Sequence, residues 1–139
     1  MATSKVTYSG ELSTNAEHLS SGRQITTDAP VDNHGKGQAF SPTDLAATSL
    51  ASCMLTVLGI YAEQNGIDMR GSNAGVTKIM SSEGLRRIAG IDVDLEISTS
   101  VEMDAKQKLI LERVARTCPV SLSLHPDLKQ NISIRFTVR

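Results

Sequence analysis

The chain has 139 residues, with fourteen Lys and Arg against fifteen Asp and Glu, a net charge of −1 and only 3% aromatic side chains. This balance has no basic run and no interleaved aromatics, so it lacks the electrostatic footprint of a nucleic-acid binder, and no nucleic acid is expected as a partner. The length predicts one domain over 1–139, burying roughly 68 to 70% of its unfolded surface, enough for a core without metal or disulfide staples.

Taken in order, the stretch MATSKVTYSG has no apolar run and no cleavage-type sequence. It reads as no secretory signal, and a reducing, cytoplasmic setting is expected, where a cysteine pair is more often catalytic or redox-sensing than structural. Val6, Tyr8, Gly10 and Leu12 alternate with polar residues as in a strand, a second short strand is expected around 23–27, and Asp32 to Gly37 is a polar loop. A long helix follows. Ser41 can cap it, Pro42 suits its first position, Asp44 completes an S-x-x-D capping box, and Asn65-Gly66 supplies a left-handed stop, so the helix is predicted over 42–64.

Within this helix the run from Leu45 to Ala62 is uncharged and long enough to span a membrane. It carries Thr48, Ser49, Ser52 and Thr56, is flanked by Asp44 and Glu63, and has no Trp, Lys or Arg anchors, so no membrane is expected as a partner. It reads instead as a central helix hydrophobic all round, which must be buried all round. At 1.5 Å per residue it is on the order of 34 Å long, more than one small domain wraps, so a second copy of the chain is expected to cover the rest.

Residues 71–83 are a weaker strand candidate. Ile91, Val93, Leu95 and Ile97 interleave with Asp92, Asp94 and Glu96, and Ile132, Ile134, Phe136 and Val138 with Ser133, Arg135 and Thr137, as in sheets wet on one face. Between them 104–117 reads as an amphipathic helix with a D-x-x-Q cap at Asp104 and Gln107. The order predicts an α+β fold, antiparallel sheets packed around a long buried central helix.

The chemistry-bearing candidates are the two cysteines. Cys53 lies inside the apolar run and shares a helix side with Ser49, Leu50, Thr56, Val57 and Ile60. Burial alone makes such a thiol inert, and it becomes a nucleophile only with a cation or donor from elsewhere in the fold, so a core cysteine and a reactive one are both open readings. Cys118 precedes Pro119, which disfavours helical geometry before it and opens a new segment over 119–124. Its thiol then sits where backbone N–H groups favour an anion, and it continues the apolar face of Leu111, Val114 and Ala115, so it can reach the core and Cys53 together; a small residue at a helix break is the plainer alternative. His18, His34 and His125 have no metal-ligand spacing, and Gly35 and Gly37 make no phosphate loop, so neither a metal nor a nucleotide cofactor is expected.

Ser41-Pro42-Thr43-Asp44-Leu45-Ala46-Ala47, running on to Ala51-Ser52-Cys53-Met54, together with Cys118-Pro119-Val120-Ser121, resembles the signature of the OsmC/Ohr family of osmotically inducible and organic hydroperoxide resistance proteins. The resemblance implies an intertwined homodimer with Cys53 as peroxidatic and Cys118 as resolving cysteine, a thiol peroxidase of oxidative stress defence that takes a small hydroperoxide and is recycled by an external dithiol, with no cofactor. Members of the hydroperoxide-resistance branch usually carry Glu directly after the helix-opening Pro, paired with an Arg. Here Thr43 takes that place, Asp44 is a candidate substitute or simply the cap, and Arg23 is the nearest candidate for the Arg or simply an exposed strand residue, so the chain resembles the broader OsmC-like branch more closely. Two other classes fit a long helix wrapped by sheet: a hot-dog-type acyl thioesterase, and a non-catalytic dimer binding a small apolar ligand.

Overall fold

A computed structural model describes residues 1–139, which form two compact units, Met1–Ala46 and Ala47–Arg139. The first unit is a three-stranded antiparallel meander of β1 (Ser4–Gly10), β2 (Ser13–His18) and β3 (Gln24–Asp28), in that spatial order. Leu12, expected in the first strand, lies in the turn instead. Glu11 and Leu12 have φ of 54° and 63°, the double left-handed geometry whose twist matches a two-residue hairpin. The central strand β2, STNAEH, carries no apolar alternation and is held by ladders on both sides and by the bond between the hydroxyls of Thr14 and Thr27. One face of this sheet carries Val6, Tyr8 and Ile25, which are 61%, 64% and 51% exposed.

After β3 a 3-10 turn over Val31–Asn33 folds the loop tightly back on itself: a Cβ at Gly35 would fall 1.7 Å from the Ala29 carbonyl oxygen, so only glycine fits. Helix α1 (Pro42–Gln64) then begins with the capping box read from the sequence. Asp44 N donates to Ser41 Oγ at 3.0 Å and Ser41 N to Asp44 Oδ2 at 3.0 Å, satisfying two otherwise orphaned groups. It ends at Gly66, φ 66°, where Ile67 N donates to Ala62 O at 2.8 Å and Gly66 N to Glu63 O at 3.4 Å, the paired bonds of a glycine-terminated helix.

The second unit contains most of α1, strands β4 (Asn73–Met80), β5 (Ile88–Thr99) and β6 (Lys129–Val138), and helices α2 (Ala105–Arg116) and α3 (Pro119–Ser123). Ala47, Leu50, Ala51, Met54, Leu58 and Ala62 form the buried stripe of α1. They pack with Ile91, Val93, Leu95 and Ile97 of β5, with Leu111 and Ala115 of α2, and with Ile132, Ile134 and Phe136 of β6. Helix α2 starts on the Asp104–Gln107 capping box. The opposite sheet face is wet and cross-linked: Asn131 to Asp92, Ser133 to Asp94 and Arg135 to Glu96.

Two expectations are corrected. The β5–β6 pair is parallel, not antiparallel, because α2 and α3 form a crossover that returns the chain to the end where β5 began. And α1, which by length and composition could cross a membrane, is not buried all round within one chain: Ser49, Ser52, Thr56, Ile60 and Glu63 lie exposed opposite the stripe.

Candidate functional site

Cys53 sits on α1 at the margin of the buried stripe, one residue before Met54, so the helix fixes its position while leaving the thiol partly accessible. Cys118 is the N-cap residue of α3, in the extended conformation (φ −68°, ψ 153°) that Pro119 imposes on the residue before it. Its side chain is 1% exposed. The Cys118 sulfur accepts from Ser121 N at 3.4 Å, and the Val120 amide and the Cys53 side chain lie near enough to act on its thiol. The fold therefore brings together the two cysteines that the sequence singled out.

Burial pushes the Cys118 thiol above its ordinary value of 9.0, and the neighbouring Cys53 raises it further, against the lowering effect of the Ser121 and Val120 amides. Cys118 is therefore held protonated at neutral pH. The pair is thus a partly accessible sulfur beside a buried thiol, the placement that thiol–disulfide chemistry between them calls for.

Around Cys118 a further contact set appears. Ser121 Oγ donates to Gln130 Oε1 at 2.5 Å and also approaches Arg116 O at 3.3 Å, while Gln130 Nε2 donates to Ser121 O at 3.0 Å. Ser121 stands in the C-P-V-S stretch, but Gln130 is absent from the candidates read from the sequence. The available signal was its phase: Gln130 shares the core-facing phase of Ile132, Ile134 and Phe136, where a polar residue needs a partner.

The two charged candidates lie in the first unit. Arg23 immediately precedes β3, its carbonyl accepting from His18 N at 2.8 Å, and its exposed side chain lines an open cleft of about 250 Å³ with Ser4, Ala16, Glu17, His18 and Ile25. Asp44 gives one carboxylate oxygen to the α1 cap through Ser41 N.

Fold and site define an α+β protein with a helix-borne, partly accessible cysteine and a buried second cysteine capping a short helix beside it. The family model described as OsmC-like protein matches residues 35–133, which takes in both cysteines, and the chain belongs to this family. Among solved structures, an osmotic stress induced and detoxification response protein from Psychrobacter arcticus is 52% identical with a TM-score of 0.90, covering 97% of this chain and 96% of that one. More distant folds include an organic hydroperoxide resistance protein OsmC from Legionella pneumophila (15% identity, TM-score 0.69, 96% and 97% covered) and the organic hydroperoxide resistance protein OhrB of Bacillus subtilis (20%, 0.64, 96% and 98%). No curated protein is similar enough to count as a relative.

Proposed function

We propose that the protein is a thiol-dependent peroxidase that reduces organic hydroperoxides, and hydrogen peroxide less well, in defence against oxidative stress in the cytoplasm. The observation that carries this reading is the contact between a partly accessible Cys53 and a buried, protonated Cys118. The names of the hydroperoxide-resistance relatives support the substrate class. The Cys53 thiolate attacks the distal peroxide oxygen; the O–O bond breaks, the alkoxide takes a proton and leaves as alcohol, and Cys53 becomes a sulfenic acid. Cys118 then attacks the Cys53 sulfur, its thiol proton leaving with the hydroxyl as water, and a disulfide forms. A small external dithiol reduces that disulfide to two thiols and is itself oxidised to a disulfide.

The apolar flank of Cys53, with Leu50 and Val57 on its side of the helix, favours an alkyl tail, worth about 0.8 kcal/mol per buried CH₂. In this reading Arg23 is the cation that stabilises the thiolate and Asp44 the carboxylate that holds it, within a homodimer.

The test is consumption of cumene hydroperoxide and of hydrogen peroxide with excess dithiol, run beside Cys53→Ser and Cys118→Ser. Turnover that prefers the organic peroxide and vanishes in Cys53→Ser is expected. Activity in the native protein no faster than free thiol rules the reading out, and thioester hydrolysis that survives Cys53→Ser moves the site to acyl chemistry.

A further inference from the structure

We infer that Gln130 is a positioning residue for the resolving step: its carboxamide clamps Ser121 and so holds the start of α3 with the Cys118 sulfur aimed at Cys53. The inference deepens the peroxidase reading and rests on it for its biological setting.

The chain of contacts is short. Gln130 grips Ser121 at two points, accepting from its hydroxyl at 2.5 Å and donating to its carbonyl at 3.0 Å. Ser121 in turn presents its backbone N–H to Cys118 Sγ at 3.4 Å. A helix of one turn has little cohesion of its own, because its few backbone bonds scarcely repay the dihedrals they fix. Its first residues therefore need an external anchor, and β6 supplies one. The choice of residue is chemically specific: a carboxamide is both donor and acceptor, a carboxylate is acceptor only, and an aliphatic chain is neither.

Placement argues the same point. Gln130 pairs with Ile91 in the β5–β6 register and precedes Ile132, Ile134 and Phe136 on the core-facing side of the strand. A hydrophobic side chain would pack there without the cost of desolvating an amide, so the amide's presence is accounted for by its two bonds to Ser121. The consequence is directional. Attack of one sulfur on another needs near in-line approach, and the gain from holding reacting atoms in place is lost with small displacements. Loosening Ser121 spares the first step, which takes place at Cys53, and slows the second, which needs Cys118 in place.

The experiment separates those steps by two routes, in native protein, Gln130→Met, Gln130→Glu and Ser121→Ala, each checked for cooperative melting. In the first route the reduced protein meets one equivalent of cumene hydroperoxide, and the Cys53 sulfenic acid and the Cys53–Cys118 disulfide are followed by rapid quench and mass. In the second, excess glutathione disulfide loads Cys53 as a mixed disulfide, and Cys118 displaces glutathione to close the same bond without any peroxide.

Loss of the two bonds in Gln130→Met is expected to slow closure on the order of tenfold in both routes, with the rate of Cys53 modification held within about twofold. Gln130→Glu keeps the acceptor for the Ser121 hydroxyl, loses the donor and falls between. Closure at the native rate in Gln130→Met, equal slowing of both steps, or a native protein that never closes the bond each overturns the inference. Should Gln130→Met fail to fold, Ser121→Ala, which removes the hydroxyl bond and keeps the carbonyl one, is expected to slow closure less than about tenfold but measurably, with Cys53 modification held, and closure at the native rate there overturns the inference. If cumene hydroperoxide oxidises native Cys53 no faster than a free thiol, the peroxidase reading falls, while the glutathione route still decides the role of Gln130.

Discussion

At the scale of single residues, the Cys118 thiol ties function to stability. Its folded value lies above the ordinary 9.0, chiefly through burial and then through Cys53. Above about pH 9 the unfolded chain has released a proton that the folded chain retains, so the unfolded state binds fewer protons and stability falls as pH rises; below that pH the contribution is flat. The urea midpoint is therefore expected to drop between about pH 9 and the higher folded value, and to drop less in Cys118→Ala; identical slopes would show that the thiol is not held protonated by the fold. The same residue predicts a kinetic split. Cys118→Ser leaves the first reaction with peroxide near native, accumulates a Cys53 sulfenic acid that dimedone captures, and loses the internal disulfide. That the two cysteines could meet was legible in the sequence, because the apolar run and the Cys-Pro helix start are local features. Gln130 was not, since its contact with Ser121 depends on how β6 lies beside α3, and no window of local sequence contains that.

At the scale of elements, capping chemistry was the most readable signal. The boundaries of α1 follow from Ser41, Pro42 and Asp44 at one end and Asn65-Gly66 at the other, and α2 opens on Asp104 and Gln107, because such boxes satisfy backbone groups within a few residues. Asp104→Ala, which removes the acceptor for Gln107 N at 2.8 Å, is expected to cost about 1 kcal/mol, read as a lowered urea midpoint with an unchanged denaturant slope. Because α2 belongs to the crossover leading to Cys118, the variant also tests whether the helix frays without disturbing the thiols. Disulfide closure at the native rate is expected, since Leu111 and Ala115 at its far end remain buried. Strand β2 was unreadable for the opposite reason: STNAEH is held by its neighbours' backbones, which leave no apolar period to detect. The parallel β5–β6 pair was hidden as well, because inward and outward residues alternate identically in either direction; only the long helical connection between the strands carried the information.

At the scale of the whole molecule, the apolar surface left bare by one chain asks for an occupant. Val6, Tyr8 and Ile25 share one face of the β1–β3 sheet, and Ile60 stands 53% exposed on the side of α1 away from its buried stripe, where Ser49, Ser52 and Thr56 leave room for close approach. Burying side chains of the Val or Ile kind fully is worth about 1.5 to 3 kcal/mol each, so covering such faces would favour association. The sequence called for a helix buried all round, whereas one chain buries a single stripe; a second copy of the chain would remove the difference, and that is the ground on which we propose a homodimer. Light scattering on the eluting protein should give twice 14.9 kDa, and the pair of substitutions Val6→Lys and Tyr8→Lys, which puts two charges on the bare face and leaves Arg23 and both cysteines unsubstituted, should lower the mass toward one chain. The contact of Cys53 with Cys118 is made within one chain, so the monomeric variant should still close its disulfide, while losing peroxide turnover if Arg23 acts from the partner's sheet. An Arg23→Ala substitution in the dimer would then reproduce that loss at full mass. A native chain that elutes at 14.9 kDa and turns over peroxide would instead make one copy the functional unit and leave the bare faces unrelated to the chemistry.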